Sequence, residues 1–82
     1  MKLNKIRCSR EGKFLIFEVG KPFETEYFDM ETGNLVSNER ETEFIITQIE
    51  LTKSYLKVKF ENDWVKCFSL SNFLNVNYEE PG

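Results

Sequence analysis

The chain has no histidine and no alanine, and only two cysteines, two prolines and four glycines among 82 residues. Without histidine, the commonest general base and activator of a serine or cysteine nucleophile is missing. Ordinary zinc sites need clustered Cys and His, whereas Cys8 and Cys67 lie near opposite ends of the chain and no CxxC occurs. There is no glycine-rich phosphate loop and no nucleophile elbow, and the segment Asp29-Met30-Glu31-Thr32-Gly33-Asn34 lacks the ligand series of an EF-hand. No apolar run reaches the ~18 residues of a spanning helix. The start, MKLNKIRCSREGK, is basic but has no apolar core of the kind a signal peptide carries. These absences predict a cytoplasmic protein with reduced thiols that is not an enzyme and holds no metal or cofactor. Arg7 and Arg10 beside Cys8 would lower its thiol pKa, but burial in a strand would raise it. The expectation is that both cysteines are small buried hydrophobes.

What is present favours strands. Phenylalanine occurs eight times, with three tyrosines and one tryptophan, and Ile and Val are well represented. Such side chains suit a pleated surface, whereas alanine, the best helix former, is absent. Apolar alternation predicts strands over 3–8, 13–19, 23–30, 42–52, 55–60 and 64–69, separated by short turns. Leu35-Val36 is read as a short returning strand and the polar run 37–41 as a loop. Within 42–52, simple alternation places Ile45, Thr47, Ile49 and Leu51 on one face and Phe44, Ile46 and Gln48 on the other. Only 70–74 has helical potential, as a single turn, and 75–78 is a candidate last strand pairing. No connection is long enough for a crossover helix, which excludes parallel βαβ units. The prediction is an all-β domain, a small antiparallel barrel or two-sheet sandwich of six to seven short strands in the SH3-like or OB-like size class. It spans residues 1–78, and 79–82 form a flexible tail.

Charge is distributed unevenly along this frame. Net charge is −3, which repels nucleic acid and anionic membrane on average. Residues 1–13 carry five bases and one acid, residues 14–50 nine acids and two bases, and residues 51–82 four of each. The central excess of acid predicts a binding protein whose carboxylates meet a basic patch on a protein partner and regulate or inhibit it. The candidate residues are Glu24, Glu26, Tyr27, Asp29, Glu31, Glu39, Glu41 and Glu43, with Phe28 as a second aromatic anchor. Closely spaced carboxylates also imitate a phosphate backbone, as in small inhibitors encoded by phages and other mobile elements. The alternative is a single-strand nucleic-acid-binding barrel with a stripe of Lys57, Lys59 and Lys66, joined by Arg7, Arg10 and Lys13, and with Trp64 and Phe68 stacking on bases. The net acidity counts against that alternative. Segments 13–19 and 44–51 are apolar on both faces, which leaves a homodimer open.

Overall fold

A computed structural model describes residues 1–79. The strands are β1 (Lys2–Leu3), β2 (Lys5–Arg10), β3 (Lys13–Glu18), β4 (Pro22–Phe28), β5 (Leu35–Leu51), β6 (Tyr55–Phe60), β7 (Val65–Ser69) and β8 (Asn75–Glu79). A 3-10 turn over Leu70–Asn72 supplies the single helical turn expected there. All pairings are antiparallel, in the order β7-β6-β5-β4-β3-β2-β8, with β1 added to β5. The sheet is curled into a half-barrel. β8 includes Glu79, which pairs with Lys5, so the segment read as a tail begins inside a strand. Residues 80–82 lie outside the described residues.

The curl comes from β5, a strand of 17 residues that serves both halves of the sheet. Residues 35–45 pair with β4, and residues 46–51 pair with β6. Between Ile46 and Gln48 a bulge takes up one extra residue. As a result Ile46 and Ile49, three apart, are both fully buried. The face assignment by simple alternation is therefore corrected here, because a bulge reverses the phase that alternation assumes. The neighbouring strand bends at the same level. Leu3 and Ile6 are also three apart and both buried, with Asn4 breaking β1 from β2 between them, and Leu3 stands opposite Ile49.

The second correction concerns residues 37–41. They are strand and not loop, because the Asp29–Asn34 turn folds the chain back along β4. That turn is tightly specified. The Asp29 side chain accepts hydrogen bonds from the Glu31 and Thr32 N–H groups at 2.8 and 3.0 Å. Gly33, at φ 76°, takes the left-handed position that side-chain-bearing residues avoid. The polar residues of 37–41 form a strand through this local closure and the β4 ladder, without burying an apolar face.

The core fills the concave side. Ile6, Cys8, Leu15, Phe17 and Phe23 come from one half of the sheet, and Ile46, Ile49, Leu56, Val58 and Phe60 from the other. Each fully buried large side chain contributes roughly 1.5–3 kcal/mol relative to exposure. Phe17 and Phe23 stack at 4.5 Å between ring centroids, and Phe68 leans on both at 5.3 and 6.2 Å. The 3-10 turn then delivers Phe73 to within 6.2 Å of Phe68, closing one end of the core.

Candidate functional site

The first part of β5, residues 35–45, forms an arm that lies along β4 and adds little to the core. Among residues 35–45 only Ser37 and Thr42 are not exposed. Thr42 anchors the arm. Its buried hydroxyl accepts a hydrogen bond from the Phe23 N–H at 3.1 Å and donates one to the Phe44 carbonyl at 3.1 Å. This bridges the irregular stretch between the Glu24–Arg40 and Pro22–Ile45 pairings, where the register shifts.

Cross-strand pairing and the turn sort the eight acidic-arm candidates into four places. Glu24 and Glu26 lie on the convex face, opposite Arg40 and Asn38. Glu26 is neutralised by Arg7 at 3.1 Å, and the Arg7 guanidinium also lies 4.2 Å from the centre of the Phe14 ring. Phe14 in turn meets Phe28 edge-on at 5.1 Å, so Phe28 packs on the convex face and is not a free anchor. Tyr27, Glu39 and Glu41 gather on the other side. Desolvation, then the nearby Glu41 and Glu39 carboxylates, push the Tyr27 hydroxyl above its ordinary pKa. Asp29 and Glu31 belong to the turn. The Thr32 and Glu31 N–H groups hold the Asp29 carboxyl below its usual range, since they stabilise the charged form. Glu43 is exposed in the irregular stretch. The structure therefore brings together Tyr27, Glu39 and Glu41, and it separates them from Glu24 and Glu26. Among the described residues the ion pairs are Lys5–Glu18, Arg7–Glu26 and Lys21–Glu18, so Glu39, Glu41 and Glu43 have no cationic partner within 4.0 Å.

The basic-aromatic stripe does not form. Val58 pairs with Lys66 and Leu56 with Phe68, which puts Lys66 and Phe68 on the core side of β7. Lys57 and Lys59 face the opposite way, beside Cys67 and Val65. Phe68 is part of the aromatic core cluster. Trp64 is 45% exposed, rests on Phe60 at 5.4 Å and lies under the Lys66 ammonium at 4.8 Å. Alternation had assigned each strand's faces correctly in this hairpin. The register between β6 and β7, which sequence did not supply, is what divides the lysines.

The two cysteines also part company. Cys8 is fully buried, and desolvation pushes its thiol up to about 12 despite the opposing effect of Arg10. Cys67 is exposed on the convex face of β7, which corrects the expectation that both are core residues. Among the described residues no group of three His, Cys, Asp or Glu side chains is placed to hold a metal ion, and no helix is long and apolar enough to cross a membrane.

Sequence reasoning missed Asn38 and Arg40, which it placed in a loop. The available signal was the Asp29–Asn34 turn, since a hairpin turn requires a returning strand of matching length. No protein-family model matches this chain, and no curated protein or solved structure is significantly similar to it.

Proposed function

We propose that the protein is a non-catalytic binding module whose β5 arm engages a basic patch on a protein partner, acting as a regulator or inhibitor. The observation that carries this reading is the unneutralised pair Glu39 and Glu41 beside Tyr27, with Glu43 exposed further along the same strand, on a stretch that adds little to the core. Surface carboxylates of this kind raise association rates and select partners more than they stabilise the fold. The exposed Leu35 and Val36 at the tip, with Tyr27 alongside, give the arm apolar area for a partner to cover. A cytoplasmic setting and an origin in a phage or similar element fit a small acidic inhibitor of this type.

The test is titration with oligolysine, a basic polypeptide probe, at low and high salt. Binding is expected to weaken steeply as salt rises. The Glu39→Lys/Glu41→Lys/Glu43→Lys variant is expected to lose it while unfolding at an unchanged denaturant midpoint. Equal binding by the variant would refute the proposal. A parallel titration of Trp64 fluorescence with a mixed-sequence single-stranded oligonucleotide examines the nucleic-acid alternative. Salt-sensitive quenching there would move the functional surface to the Trp64–Lys66 edge.

A further inference from the structure

We propose that the free edge of β5 between Ser37 and Glu41 receives an extended basic polypeptide segment as an additional strand. This rests on the reading of the arm as the partner site and adds the mode of binding and the chemistry of the partner. The backbone supplies the first argument. Phe23 N–H points to Thr42 on β5, and Phe28 N–H points away from β5 to the Gly12 carbonyl. Successive residues of a strand direct their N–H and C=O groups to alternate sides. Thr25 and Tyr27 therefore face β5, and their register partners Glu39 and Ser37 face β4. Asn38 and Arg40 turn their N–H and C=O groups to the other edge. Among the described residues no strand covers that edge, since β6 begins pairing only at Ile46 and β1 at Ile49. Asn38 and Arg40 are both exposed.

Charge chooses the occupant. Glu39 and Glu41 project to one side of β5 and Asn38 and Arg40 to the other. A second copy of the same strand would set carboxylates against carboxylates, which disfavours self-pairing. A segment with Lys or Arg at every second position and uncharged residues between would face Glu39 and Glu41 with its cations. Its neutral side chains would then meet Asn38 and Arg40. The register shifts at Tyr27/Phe28 and Pro22/Glu24 bound the regular stretch, so the added strand is short. Main-chain hydrogen bonds supply affinity in this mode, and the alternate side chains supply specificity.

The experiment compares two probes of equal charge, the peptide acetyl-(Lys-Thr)4-amide and spermine, which has no amide groups. Amide exchange of the native protein is followed by NMR. The peptide is expected to bind at least tenfold more tightly than spermine and to slow exchange at Asn38 and Arg40 at least tenfold. Asn38→Pro, which removes one outward N–H and no charge, is expected to weaken the peptide at least tenfold and leave spermine unchanged. Equal binding of the two probes without altered exchange at Asn38 and Arg40 would overturn strand addition while sparing the acidic arm. Undiminished peptide binding by Glu39→Lys/Glu41→Lys, or no binding of either probe, would overturn both. Concentration-dependent protection of the same amides without peptide would show a second copy on the edge and also overturn the proposal. If Asn38→Pro does not fold, the exchange measurement on the unaltered protein decides.

Discussion

Phe68→Ala separates a core residue from a surface base-stacker more sharply than any other single change. Full truncation of a buried phenylalanine costs about 3–5 kcal/mol, from lost transfer energy and the cavity left behind. Phe68 is only half-buried, but its ring touches the cluster on three sides: Phe17 at 5.3 Å, Phe23 at 6.2 Å and Phe73 at 6.2 Å. Scaling for partial exposure gives a loss of about 2–3 kcal/mol. A domain of this length holds roughly 4–12 kcal/mol in total, so the loss is a large share. Urea unfolding followed by Trp64 fluorescence reads it directly. With a slope of about 1 kcal/mol per molar urea for a small domain, the midpoint should fall by about 2–3 M. Phe68→Leu should recover more than half of that shift. An exposed stacking residue would behave otherwise, since surface substitutions stay within about 0.5 kcal/mol. A midpoint shift below about 0.5 M at unchanged slope would refute the placement of Phe68 in the core.

The other predictions address the thiols and the anchor of the arm. In native protein at pH 8 an aromatic disulfide reagent should modify Cys67 quickly and Cys8 only on unfolding, so release of two equivalents from the folded state would contradict the burial of Cys8. The Cys8 thiol is raised from 9.0 to about 12 on folding. Its stabilising effect is therefore complete below pH 9 and is lost as pH climbs toward 12, by up to about 1.4 kcal/mol per pH unit. Cys8→Ala should flatten that part of the stability profile, as measured by urea midpoints across the range, and an unchanged profile would count against it. Thr42→Val should cost about 1–3 kcal/mol by leaving the buried Phe23 N–H without an acceptor, and Thr42→Ser should restore most of it. A Thr42→Val protein as stable as the original would show that the hydroxyl does not anchor the arm.

The parts of the fold legible in the sequence were those where burial writes a pattern. Leu56, Val58 and Phe60 alternate cleanly because one face of β6 is wet and the other dry, and the 3-10 turn was visible in the Ser-rich run before Phe73. The pattern failed at Ile46 and Ile49 because a bulge leaves no residue type of its own. It failed again over 37–41 because a strand with both faces wetted has no hydrophobic period. The same cause hid the candidate site. Glu39 and Glu41 were visible as charges, but Asn38 and Arg40 matter through backbone direction, which is set by the β4 register. Lys57, Lys59 and Lys66 showed the converse error, since three lysines close in sequence lie on opposite faces once Val58 pairs with Lys66.

β5 also shows why stability and binding can be separated in so small a chain. Its last six residues carry Ile46, Ile49 and half-buried Leu51 into the core, whereas its first eleven contribute mainly charge and hydrogen-bonding edge. The arm cannot hold its own shape by burial, so its order is drawn from the β4 ladder, the Asp29 turn and the Thr42 hydroxyl. That dependence makes the arm the place where local opening should cost least. It also means that a partner strand added at Asn38 and Arg40 would stabilise a region the core does not reach. Because the bulge at Ile46–Gln48 sits between the two parts, ordering of the arm need not change the packing of Ile49 or Val58. Substitutions at Glu39 and Glu41 should accordingly move affinity with little effect on unfolding, and substitutions at Ile46 or Phe68 should do the reverse.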